Sequence, residues 1–133
     1  MKEKTIRTLL VEPEEVPREH HLHVSMQAFR AAVGVDALET ENPRTIRLEK
    51  QVYILYNHWG GLWGKENRKV GDRVISGDFY VIACDDQGIP RSLTHREVKR
   101  YLYRFFTPES FEDSDSLIDN LYEEIKALEE AVR

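Results

Sequence analysis

Two short apolar runs, Val52–Tyr56 and Phe79–Cys84, most constrain what this chain can fold into. Both are heavy in Val, Ile, Tyr and Phe, the residues that suit a pleated, half-buried surface, so both read as strands. The stretch between them is rich in Gly, Trp and Asn. It carries Trp59, Trp63, Asn67, Arg68 and Arg73, large groups able to stack or to hydrogen-bond. No known catalytic motif is spelled there.

The rest of the chain can be read around this pair. TIRTLLV (residues 5–11) is a strand with Leu on both faces, which places it inside a sheet rather than at an edge; Pro13 ends it. Residues 14–20 read as a polar loop. HHLHV leads into a short helix capped by Ser25, with Met26, Phe29 and Val33 at helical spacing and Gly34 as the stop. Thr45–Leu48 pairs with Val52–Tyr56 through a tight turn. Asn57–Gly61 is turn chemistry, Leu62–Gly64 starts a return strand, and Lys65–Asp72 reads as a polar loop. Arg73–Ile75 resumes the strand pattern, and Gly77 marks a bend. Thr94 and Glu97 make a capping box. The helix it opens, His95–Phe106, shows Val98, Tyr101, Leu102 and Phe105 as one apolar stripe. The expected fold is therefore α+β, a mixed, mostly antiparallel sheet of four to six strands with two helices.

Charge divides the chain in two. Of its 24 acids and 19 Lys and Arg residues, nine acids and two bases (Lys126 and Arg133) fall in residues 108–133, a net of −7. The first 107 residues then hold 15 acids and 17 bases, a net of +2. We expect a core domain over 1–107 and an acidic C-terminal helix over 108–133 that packs on the core or on a partner. Ile118, Leu121, Ile125, Leu128 and Val132 alternate spacings of three and four, a short heptad seam that suits a homodimer. The charge balance speaks against direct binding of duplex DNA. One cysteine, Cys84, rules out an internal disulfide and fits a reducing compartment. No run of 18 or more apolar residues marks a membrane span, so a cytoplasmic protein is expected.

Several constellations carry chemistry on paper. His20, His21, His23 and His58 invite a metal, but no Cys or acid supports them at a ligand spacing, so no metal and no cofactor is expected. Trp59, Trp63, Asn67, Arg68 and Arg73, joined by Tyr80, could stack a base and hold a phosphate. The plainer reading is that the rings fill the core and Asn67–Arg68 ties down a loop. Cys84 ends an apolar run and reads as an inert thiol. Ser76 lies outside any nucleophile elbow. An enzyme is not expected.

Leu10-Val11-Glu12-Pro13, Ala28-Phe29, Val33-Gly34, Tyr56-Asn57, Asn67-Arg68, the run Ile75–Ile82 and Ser92-Leu93-Thr94 occur in an order that resembles a domain-of-unknown-function family. The resemblance covers roughly residues 5–106. Small proteins of that family are carried by phages, plasmids and conjugative transposons of gram-positive and gut bacteria. The resemblance implies an accessory or counter-defence role. The leading expectation is a protein that binds and blocks a host defence or nucleic-acid-processing protein. Asp113, Asp115, Asp119, Glu123, Glu124 and Glu130 would make the electrostatic contact. The alternative is a module that sequesters a nucleotide signal through Trp59, Trp63, Arg68 and Arg73.

Overall fold

Apolar side chains on both faces of TIRTLLV need cover on two sides, and the fold supplies it. The computed structural model describes residues 5–34, 43–57 and 65–109, together with Ile125, Lys126 and Leu128. β1 (Thr5–Val11) and β7 (Phe79–Cys84) lie side by side at the centre of a six-stranded sheet. β2 (Arg18–His23) flanks β1, and β4 (Val52–Tyr56) flanks β7 with β3 (Arg44–Glu49) outside it, giving the order β2-β1-β7-β4-β3. β8 (Pro90–Arg91) pairs with the far end of β7. Every pairing among the described strands is antiparallel. β5 (Glu66–Val70) and β6 (Arg73–Ser76) form a separate hairpin.

The sheet carries a different cover on each face. On one face, Leu9, Val11, Val52, Ile54, Phe79 and Val81 pack against the hairpin residues Val70 and Ile75 and against α2 (His95–Arg104). Val98, Tyr101 and Phe105 are the buried stripe of that helix and its cap. Burial of each stabilises the fold by about 1.5–3 kcal/mol. On the other face, Ile6, Leu10, Leu22, Leu55, Tyr80 and Ile82 pack with Phe29 and Val33 of α1 (Met26–Ala32) and its cap.

Both helices start where their caps dictate. Ser25 Oγ accepts from the Ala28 N–H at 3.0 Å. Thr94 accepts from the Glu97 N–H at 3.1 Å while the Glu97 carboxylate accepts from the Thr94 N–H at 2.9 Å, which satisfies two otherwise orphan donors. The segment before α2 is clipped to β1: Arg7 N–H donates to Ser92 Oγ and Leu93 N–H to Arg7 O.

The structure bears out an α+β fold with a mostly antiparallel sheet and corrects the sequence reading at three points. Residues 18–20 and 66–70 lie in strands, not loop. The hairpin makes a second small sheet. α2 ends at Arg104 with Phe105 as its cap. In β2 only Leu22 is buried, and in β5 the inward residues include Asn67 and Arg68, so neither strand shows an apolar alternation.

Candidate functional site

Two successive buried polar residues lie where the hairpin meets the sheet and α2. The β5–β6 register slips between Glu66 and Arg68, so that Asn67 is an extra residue in its strand. Such a bulge lets two successive side chains turn inward. Asn67 is 0% exposed and Arg68 1%. Asn67 Nδ2 donates to Val11 O and to Gly77 O, both at 2.8 Å, which ties the hairpin to the end of β1. Gly77, at φ +75°, is the bend that brings its carbonyl into reach.

Arg68 uses its whole fork. Nε donates to Phe105 O at 3.1 Å, and Nη2 to Phe105 O at 3.0 Å and Glu15 O at 2.6 Å. Nη1 donates to Asn67 Oδ1 at 2.9 Å and to Asn67 O at 3.4 Å. All five N–H donors of the guanidinium are thus engaged by the chain. Phe105 O stands at the C-terminus of α2, where the helix dipole favours a cation. Burial lowers the pKa of Arg68 from its ordinary value, and the nearby Glu109 carboxylate opposes this. A phosphate at Arg68 would have to displace Glu15, Asn67 or Phe105.

Arg73 shares the inward side of the hairpin with Ile75 but sits at its exposed rim, donating to Tyr56 Oη at 3.3 Å. Tyr80 lies on the α1 face of the sheet, across from Arg68, so these two do not share a pocket. Trp59, Trp63 and His58 fall outside the described residues, as do Asp113, Asp115, Asp119, Glu123, Glu124, Glu130, Ile118 and Leu121. Ile125 and Leu128 have helical backbone and are 52% and 66% exposed.

The histidines divide between the faces of β2. His21 stands opposite Arg7 and His23 opposite Thr5, while His20 points the other way and packs its ring 5.6 Å from that of Tyr80. Among the described residues no three His, Cys, Asp or Glu side chains gather as a metal site would require. Cys84 is half-buried; burial and then Asp85 raise its pKa, Arg91 opposing, which leaves a poor nucleophile at neutral pH.

Three polar clusters lie away from Asn67 and Arg68. Arg91 grips Glu97 through two bonds of 2.8 and 3.0 Å and reaches Gln51 Oε1 at 3.2 Å, joining the β3–β4 turn to the start of α2. The hydrogen bonds from Arg91 hold the Glu97 carboxyl below its usual range. Arg100 donates to both oxygens of Glu49, and the Tyr101 phenol is pushed up to about 12 by burial and by Glu49. Glu12 pairs with Arg18 at 3.0 Å beside Asp78 and Tyr80, whose pKa values are raised, chiefly by lost hydration.

One feature escaped the sequence reading. The outward side of α2 presents Arg96, Lys99, Tyr103 and Arg104 to solvent, and Tyr103 is 87% exposed. Its signal was the stripe opposite the apolar one, where aromatic and basic residues alternate.

The chain belongs to the family described as a domain of unknown function (DUF3846), whose model matches residues 6–106. No curated protein and no solved structure matches it. No described helix is long and apolar enough to cross a membrane.

Proposed function

We propose that this chain is a non-enzymatic accessory protein of a phage or other mobile element, acting in the bacterial cytoplasm. It binds and blocks a host defence or nucleic-acid-processing protein. The observation that carries this reading is the pair Ile125 and Leu128, helical, three residues apart and 52% and 66% exposed. Apolar positions left open on an acidic segment suit a partner with an apolar groove rimmed by Lys and Arg. Asp113, Asp115, Asp119, Glu123, Glu124 and Glu130 supply the charge. The buried polar residues Thr8, Asn67 and Arg68 are engaged in holding the fold, which supports a surface role over a catalytic one.

The test is co-expression of the tagged chain in a bacterial host beside a variant with those six acids changed to Asn or Gln. Partners retained at about 50 mM salt and released at about 500 mM are expected for the unaltered chain alone, because screening weakens exposed charge pairs. Equal retention by both chains, at either salt, removes the acidic contact.

The same exposed pair favours a second reading, self-pairing through Ile118, Leu121, Ile125 and Leu128. Light scattering separates the two. A dimeric mass that falls to the monomer in Ile125→Asp supports self-pairing, and a monomeric mass at all concentrations leaves the seam to a partner.

A further inference from the structure

From the outward face of α2 we infer that this protein binds single-stranded nucleic acid there, bases stacking on Tyr103 and Phe106 and phosphates held by Arg96, Lys99 and Arg104. The inference is independent of the protein-blocking role.

The geometry is that of one continuous stripe. Arg96, Lys99 and Tyr103 follow one another at steps of three and four, so they lie along one side of the helix. Phe106 N–H donates to Tyr103 O at 3.4 Å, which closes a turn just past the helix and keeps the exposed Phe106 next to its end. From Arg96 to Tyr103 the stripe is about 10 Å long, at 1.5 Å per residue, and with Phe106 beyond it the footprint is a few nucleotides.

Its charge is uncompensated by the described residues. Arg91 holds Glu97 on the inner side of the helix, and Glu49 is held by Arg100. Arg96 and Lys99 form no ion pair with a described residue. Arg104 lies over the Phe105 ring at 5.3 Å rather than against an acid. Glu109 has its carboxylate on the Lys69 N–H at 3.0 Å. No acid among the described residues therefore forms an ion pair with Arg96, Lys99 or Arg104.

The aromatic rings select the ligand. Tyr103 is 87% exposed and Phe106 52%, whereas Phe105 and Tyr101 on the inner side are 3% and 2%. An acidic peptide would use the cations and leave two open ring faces idle. A duplex keeps its bases stacked on each other. A single strand presents phosphates and free base faces together, and cations interleaved with aromatics bind both. The net charge of +2 in the first 107 residues is compatible with such a local site, although it is too small for a strong general field.

The experiment is fluorescence anisotropy of a labelled oligothymidylate titrated with the full chain at low salt. Binding is expected, with a log–log salt slope near −2, at about −0.7 for each of three phosphates neutralised. Tyr103→Ala should weaken it about tenfold, the loss of one stacked base. The double variant Arg96→Glu with Lys99→Glu should abolish it. These side chains are solvent-exposed, and a circular-dichroism melt of each variant confirms that the fold is kept. Three results overturn the inference. One is no anisotropy change with the unaltered chain. Another is binding that ignores both variants, since the strand would then sit elsewhere. The last is polyglutamate competing as well as the oligonucleotide, with Tyr103→Ala without effect, which would mark a dock for an acidic protein.

Discussion

The two faces of the sheet are held down by different means. On the α1 face the cover is apolar: Phe29 and Val33 sit on Ile6, Leu10 and Leu22, and the one fully buried polar side chain there among the described residues, Thr8, satisfies itself on His20 O at 2.6 Å. On the α2 face the cover comes from two elements, and one of them is a two-stranded hairpin. A lone hairpin is marginal in water because it buries too little. Val70 and Ile75 contribute apolar contact, but Asn67 and Arg68 tie the hairpin to β1, to the Glu15 loop and to the end of α2 at once. The contrast separates two meanings of a polar residue in a core. Where apolar area is short, a fully satisfied polar network fixes one arrangement of the elements, and its residues say nothing about a ligand.

That contrast can be broken from either side. The largest effect is expected from Arg68→Met, which strands the acceptors Phe105 O and Asn67 Oδ1 in the interior and leaves Glu15 O at its edge without its donor. A loss of about 3–5 kcal/mol is expected in urea unfolding, since each orphaned buried group costs about 1–3 kcal/mol. Phe29→Ala on the opposite face removes apolar contact alone and should cost about 3 kcal/mol. Near-additivity of the two in the double variant would show the faces to be independent. Thr94→Ala opens the capping box and should cost about 1 kcal/mol.

The smallest effects are pH limbs of opposite sign, both on the α2 face. Glu97 has its carboxyl held low by Arg91, so its contribution is present above the unfolded value and is lost as pH falls through the folded one. Glu97→Gln should flatten the acid limb of a stability–pH curve. Tyr101 has its phenol held high by burial, so the unfolded chain ionises first. Stability then falls as pH rises from 10.0 toward about 12, and Tyr101→Phe should remove that limb.

Much of this was legible in the residues themselves. The runs at 5–11, 52–56 and 79–84 announce central strands because they are apolar on both faces. Ser25 with Gly34, and Thr94 with Glu97, announce helix ends because capping is a local matter of one side chain and one or two N–H groups. β2 and β5 stayed hidden. Arg18–His23 is an edge strand whose pairing with β1 is made by backbone, and REHHLH buries only Leu22. ENRKV turns Asn67 and Arg68 inward through a bulge, which no hydrophobic period reports. The site was half-legible for the same reason. Arg68 announced strong hydrogen bonding, but its partners are carbonyls of Glu15 and Phe105, 53 and 37 residues away in sequence. The outward stripe of α2 is present in HREVKRYLYR, but basic and aromatic residues opposite an apolar stripe look in sequence like any solvated helix face.

The account rests on Arg68 being engaged by the fold, with recognition left to the surface. Urea unfolding of Arg68→Met, followed by far-ultraviolet circular dichroism, tests this most directly. The account predicts a midpoint far below that of the unaltered chain, equivalent to about 3–5 kcal/mol. A variant as stable as the unaltered chain would contradict it, and would return Arg68 to the pool of side chains available to a ligand.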